Sequence, residues 1–183
     1  MGLIVLGVLE FSSIAVGIKA LDEMVKTAPV NIIDARTICP GKYLIVFSGD
    51  VASVEYSYNK GIETGKDFIV DSLFLPKVHA DVIPAIGNII PSVNWDTLGI
   101  IETRSVVSAI EAADIAVKTG GIDIIEIRLA IGFGGKSYVK LMGSLDAVEA
   151  SMESGISGAK RKGLLFMNVI IPQPHKEIKP FYM

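Results

Sequence analysis

Apolar residues along this chain follow two alternating rhythms. From Leu3 to Glu10 they run almost unbroken, the pattern of a buried strand. Ser12 or Ser13 can cap the helix that follows. In it Ile14, Ile18, Leu21 and Val25 fall at i, i+4, i+7 and i+11 and predict one apolar face. Ala28-Pro29 stops that helix. Val30 to Ile38 is rich in β-formers and predicts a second strand, Pro40-Gly41 a turn, and Lys42 to Ser48 a third strand. Gly49-Asp50 supplies a break and a cap, so a helix is expected from Val51 to near Phe68. Asp71 to Leu75 predicts a fourth strand, followed by a short tail helix near Asp81 to Ile86.

The same order then recurs. It runs through strand Leu98 to Thr103, a helix with Val106, Ile110, Ala113 and Val117 on one face, and strand Ile122 to Ile131. A glycine-rich loop, strand Lys136 to Met142, helix Asp146 to Lys162 and strand Leu164 to Ile171 complete it. The residues repeat as well. Gly7-Val8-Leu9-Glu10 is echoed by Gly99-Ile100-Ile101-Glu102, and the stretch from Ala20 through Asp22 to Lys26-Thr27 by that from Ala112 through Asp114 to Lys118-Thr119. The offset of 92 holds through Arg36 and Arg128, then becomes 94, pairing Gly41-Lys42 with Gly135-Lys136, Gly49 with Gly143 and Gly61 with Gly155. Pro76 to His79 and Pro172 to His175 close the two copies. Self-similarity at a fixed offset marks one structural unit used twice. Two domains are therefore expected, 1–91 and 98–183, joined by a linker at 92–97. The order βαββαβ in each predicts an α+β, ferredoxin-like sandwich, with a four-stranded sheet backed by two helices. That fold hosts many functions, so chemistry has to come from particular residues.

Composition narrows the classes. Half the residues are hydrophobic and 20% are charged, with a mean hydropathy of +0.51. Two small domains this apolar are expected to bury surface against each other and then against other chains. A net charge of −3 does not favour nucleic acid. The apolar stretches are strand-sized, so no membrane span is expected. The N-terminus has no basic region or cleavage site, so a signal peptide is not read. Met1-Gly2-Leu3 opens like a myristoylation site, but Leu6 stands where Ser or Thr is wanted. The single cysteine excludes an intramolecular disulfide framework and agrees with a cytoplasmic protein.

Few residues carry chemistry. Gly132-Phe133-Gly134-Gly135-Lys136 lacks Walker spacing and leads into a strand, so it reads as an inter-strand loop. His79 and His175 recur in register with no cysteine nearby, which argues for a repeated chain turn rather than a metal site. Glu10 and Glu102 also repeat, which suggests a structural role, and no catalytic set can be assembled from local spacing. Cys39 differs, because the second copy lacks it. It lies in Thr37-Ile38-Cys39-Pro40-Gly41-Lys42 at a strand-to-strand turn. A lone cysteine is usually a small buried hydrophobe, and from the residues alone that reading stays open beside a ligand role.

Several of these features together are similar to the bacterial microcompartment shell domain. They are Gly-x-x-Glu, Ala-x-Asp-x-x-Val-Lys-Thr, Pro-Gly-Lys before the third strand, Gly-Asp before the second helix, and a closing Pro-x-Pro-His. The resemblance spans residues 1 to 176 as two domains in tandem. It implies a non-enzymatic shell tile in the cytoplasm: a homotrimer mimicking a six-domain hexagonal tile, packed laterally against other shell proteins, with encapsulated redox enzymes as further candidate partners. Within the family, the cysteine turn resembles the pore loop of the propanediol-utilisation type, which carries a [4Fe–4S] cluster in its central pore. By that resemblance Cys39 is the cluster ligand, Thr37, Ile38, Pro40 and Gly41 complete the pore loop, and one cluster is held per trimer. The glycine-rich loop of the second copy would fold aside to leave room. Lys26 and Lys118 match the edge lysine between neighbouring tiles. Lys77 and Gln173 stand where the closing motif usually has Arg, and neither has the guanidinium fork. Two alternatives stay open: a structural tile with a metabolite-conducting pore and no cofactor, and a ferredoxin-like trimer that binds or transforms a small molecule.

Overall fold

The computed structural model describes residues 5–90, 95–132 and 134–181. Leu3 and Ile4 of the first expected strand, positions 92–94 of the expected linker and Phe133 of the glycine-rich loop lie outside the described residues. The described residues divide into two compact units, one running through Val78 together with loop 131–135, the other comprising 79–130 and 136–181.

The first unit has the expected order. Strand β1 (Val5–Phe11) is followed by helix α1 (Ile14–Thr27), β2 (Asn31–Ile38), β3 (Lys42–Gly49), α2 (Val51–Gly65) and β4 (Ile69–Leu75). The sheet is antiparallel in the order β2-β3-β1-β4. Both helices start where a side chain can satisfy a free backbone donor. Ser13 Oγ accepts from Val16 N–H at 3.4 Å, and Asp50 Oδ1 from Ser53 N–H at 2.9 Å. The hydrogen bonds at Asp50 hold its carboxyl below the usual range, that from the Ser53 hydroxyl first. Helix α2 ends at Gly65 rather than near Phe68. Lys66 takes a positive φ of 38° and residues 66–68 form a 3-10 turn. The turn lets Phe68 O accept Ser12 N–H at 2.8 Å, fixing the start of β4 beside β1. Val5, Leu9, Phe11, Ala20, Met24, Ile45, Phe47 and Val54 fill the core.

The second unit repeats the first as β5 (Thr97–Thr103), α4 (Val106–Thr119), β6 (Ile122–Arg128), β7 (Ser137–Gly143), α5 (Leu145–Arg161) and β8 (Leu165–Ile171). Its sheet order, β6-β7-β5-β8, is that of the first with each strand renumbered. Strand β6 stops at Arg128, short of the expected Ile131, because glycines 132, 134 and 135 all take the left-handed conformation.

The tail helix expected to close the first domain belongs to the second unit. Helix α3 (Val82–Ala85) packs against α4 and β6. Gly87 N–H donates to Ile127 O at 2.9 Å and Ile90 N–H to Ile125 O at 2.7 Å, so this segment caps the free edge of β6. The units therefore part at Val78 rather than at residue 91, and Thr97 of the expected linker already begins β5.

The predicted helical stripes meet different fates. On α4, Val106, Ile110, Ala113 and Val117 are all buried, as the spacing predicts. On α1 the buried residues are Gly17, Ala20 and Met24, with Ile14 and Leu21 of the predicted stripe packed partly buried against the same core. Ile18, at the position of Ile110, is 53% exposed against 0%, and Val25 is open where Val117 is buried. The adjoining edge follows suit: Ile32 and Ile33 of β2 are exposed, while Ile124 and Ile125 of β6 are buried.

In each unit a repeated glycine lets the two helices approach. A Cβ on Gly155 would lie 2.9 Å from the carbonyl oxygen of Ala112, whereas one on Gly61 would meet the ends of the Leu9 and Met24 side chains. Backbone cannot yield as a side-chain tip can. Gly155→Ala is therefore expected to lower stability by about 1–3 kcal/mol, despite a helix-propensity gain of about 1 kcal/mol. Gly61→Ala should cost less, and chemical denaturation of the two variants measures the difference.

Candidate functional site

The cysteine turn is made by the joint between β2 and β3. Ile38 is buried and anchors the end of β2. Gly41 N–H donates to Ile38 O at 3.1 Å and closes a four-residue turn, with a cis peptide between Cys39 and Pro40. Gly41 has a φ of 85° and no neighbour within reach of a Cβ, so its need for glycine is conformational. Cys39 is half-buried at the tip of this turn.

Loop 131–135 lies against it. Gly132 N–H donates to Cys39 Sγ at 3.4 Å. A Cβ on Gly135 would stand 2.8 Å from Pro40 Cδ, so glycine permits the close approach. The expectation that this loop folds aside does not hold within the chain, since the loop supplies a donor to the sulfur. Ile14, Thr37, Ile38, Cys39, Gly41 and Ile131 line a shallow, mainly apolar cleft of about 430 Å³. Among the described residues no group of three or more His, Cys, Asp or Glu is placed to hold a metal ion. At this turn one chain thus brings together one sulfur and one backbone N–H.

The BMC domain family matches residues 5–78 and again residues 97–174. This chain belongs to that family. It is a tandem BMC-domain shell protein, a structural component of a bacterial microcompartment. It is 40% identical over 173 residues to the bacterial microcompartment shell protein PduT of Citrobacter freundii, covering 94% of each chain. The shell protein EutM of Salmonella typhimurium is 33% identical over 87 residues, which are 48% of this chain and 88% of EutM. The crystal structure of a microcompartment protein from Desulfitobacterium hafniense DCB superposes with a TM-score of 0.85 at 42% identity, covering 98% of this chain and 99% of that one.

Of the other residues singled out in these BMC domains, Lys26 and Lys77 belong to the first unit and Lys118 and Gln173 to the second. Lys26 ends α1, exposed and 2.6 Å from Asp22 Oδ2, whose hydrogen bond raises its pKa. Lys118 ends α4 and lies 2.5 Å from Asp114 Oδ2. Asp114 is buried and its second oxygen accepts His79 N–H at 2.8 Å. Lys77 is exposed, and so is Gln173, which adopts a φ of 47° between Pro172 and Pro174. No helix among the described residues is long and apolar enough to cross a membrane. The two functional details missed from sequence are Gly132 as the partner of Cys39 and Asp114 as the partner of His79. The first had no readable signal across 93 positions. Nor had the second across 35 positions, since the i, i+4 spacing of Asp22-Lys26 and Asp114-Lys118 announces only the ion pairs within each helix. Because Cys39 sits at a turn tip, one thiol per chain is expected to react with an aromatic disulfide reagent in native, metal-free protein. A thiol that reacts only after denaturation would contradict that placement.

Proposed function

We propose that three copies of this chain close into a pseudo-sixfold tile of the shell, and that three Cys39 thiolates at its centre hold one [4Fe–4S] cluster. The observation that carries the ring is the unequal exposure of equivalent surfaces. Ile18, Val25 and Ile33 are open while Ile110, Val117 and Ile125 are covered. Two unlike patches on one molecule associate head to tail, and a head-to-tail contact either closes into a ring or runs on as a filament. Two similar domains per chain make three copies the number that imitates six-fold symmetry.

The cluster reading is supported by the chemistry of the turn. Thiolate is the ligand iron–sulfur clusters take, and Cys39 is a half-buried thiol on a turn with a backbone N–H already directed at its sulfur. Hydrogen bonds to ligand sulfur tune such centres. Cys39 would be the ligand and Gly132 the outer donor, while Ile38 and Gly41 hold the turn. When bound, the cluster would supply one-electron chemistry, so the tile would pass electrons, or the cluster itself, across the shell without catalysing a reaction. Its partners would be neighbouring shell proteins and encapsulated redox enzymes.

Anaerobic reconstitution should give about four irons per trimer. Cys39→Ser should lose the colour and the paramagnetic signal seen on reduction while remaining trimeric. Protein that binds no iron under those conditions would leave a structural tile with a cofactor-free pore. For the tile edge, changing both Lys26 and Lys118 to Asp should abolish two-dimensional sheets and leave the trimer folded. Unchanged sheets would remove both lysines from the edge.

A further inference from the structure

We infer that the segment from His175 to Phe181 of one copy docks on α1 and the free edge of β2 of the next copy, making the contact that joins neighbours around the ring. This rests on the ring proposed above and adds which segment closes it and where it lands.

The repeat supplies the template. His79-Ala80-Asp81-Val82-Ile83-Pro84-Ala85 aligns with His175-Lys176-Glu177-Ile178-Lys179-Pro180-Phe181, each following the closing motif of its own domain. The two segments also start with the same local turn. His79 Nδ1 accepts Asp81 N–H at 3.4 Å, and His175 Nδ1 accepts Glu177 N–H at 3.4 Å. Val82 N–H donates to His79 O at 3.1 Å, and Ile178 N–H to His175 O at 3.0 Å.

The first segment has found its site. Its N–H at His79 meets Asp114 of α4, Val82 and Ala85 are fully buried, and its continuation caps the edge of β6. The second has not. Phe181 is 84% exposed where its counterpart Ala85 is 0%, lining an open cleft with Ile100, Glu102, Tyr138 and Lys140, and Lys179 of the same segment lies over the Trp95 ring at 5.4 Å.

The receptor has an unfilled duplicate as well. Asp22 on α1 is the counterpart of Asp114. It is exposed, and its Oδ2 is engaged by Lys26, as Asp114 Oδ2 is by Lys118. Its Oδ1 stands at the position that accepts His79 N–H in the second unit. On the same unit Ile18 and Val25 of α1 and Ile33 of β2 are exposed, while their counterparts are covered. A vacant copy of a receptor and an undocked copy of its ligand, on one chain, identify a second copy of this chain as the occupant.

The test uses full-length chains carrying Cys39→Ser. One protein carries Asp22→Cys and another His175→Cys, so each has one thiol. After the two are co-expressed, a short thiol-to-thiol cross-linker should join unlike chains, and either protein alone should give no covalent dimer. Phe181→Ala and Asp22→Ala in the otherwise unchanged chain should each weaken trimer association about tenfold or more by mass photometry. Trimers that give no cross-link between unlike chains would overturn the docking and leave the ring standing. Protein that never trimerises would overturn the ring and the docking with it. If a chain carrying both cysteines gives only a cross-link within itself, the segment lies on its own first domain and the inference fails.

Discussion

A helix with apolar residues on two sides has to be covered twice. Helix α1 turns Gly17, Ala20 and Met24 to the sheet beneath it and presents Ile18 and Val25 on another side. Burying an Ile or Val side chain is worth about 1.5–3 kcal/mol. Leaving these two half open beside Ile32 and Ile33 therefore forgoes a sizeable part of the stability of a small domain. In the second unit the equivalent residues are buried, and α3 lies against α4. Gene-level duplication of one fold thus leaves an asymmetry that a single chain cannot remove. One copy of the docking surface is satisfied inside the chain, and the other is available to a neighbour.

The fold was almost fully legible because the repeat let each ambiguous segment be read twice. The strands, the two capped helices per domain and the turn at Pro40-Gly41 follow from period, capping residues and breakers. Two boundaries did not. The 66–68 turn depends on Lys66 adopting a left-handed conformation that no residue type there announces. The shortening of β6 depends on three left-handed glycines, 132, 134 and 135, acting together. Of the stripe Ile14, Ile18, Leu21 and Val25, Ile14 and Leu21 pack against the core while Ile18 and Val25 are exposed, because apolar spacing alone does not say which of two adjoining helix faces meets the sheet. Small residues point the other way. Gly17 has the ring of Tyr43 where a Cβ would be, which no large side chain could tolerate.

Charge shows where the two copies have drifted. Glu10 is buried against Lys42 at 2.7 Å, and the matching pair Glu102 and Lys136 is looser, at 3.5 Å and partly exposed. Asp34 faces Arg36, and Glu126 faces Arg128, at nearly equal distances. Around Glu126, however, the second copy has added Lys140 at 2.9 Å and the Tyr138 hydroxyl at 3.3 Å. Burial and then the Glu126 charge push the Tyr138 hydroxyl up, so it stays a neutral donor. A carboxylate left buried without these partners would cost several kcal/mol. Its extra donors therefore come with its deeper position, since the first-copy residues at 44 and 46 are Leu and Val beside a more exposed Asp34.

The loops between second and third strands have drifted furthest, and in complementary directions. The first copy keeps a four-residue turn in which only Gly41 is left-handed, leaving Cys39 a fixed position at its tip. The second copy gives up side chains and gains two residues, and its glycines let backbone come within reach of the sulfur. On the proposed cluster reading neither change is useful alone. If three Cys39 thiolates hold one cubane, a cysteine on both loops would put twice as many thiols around the trimer axis as that cubane requires, while a compact second turn would hold no N–H near Sγ. Dividing the work between the copies, sulfur from one and a backbone donor from the other, is open to a tandem chain and closed to a single-domain chain, whose subunits are identical.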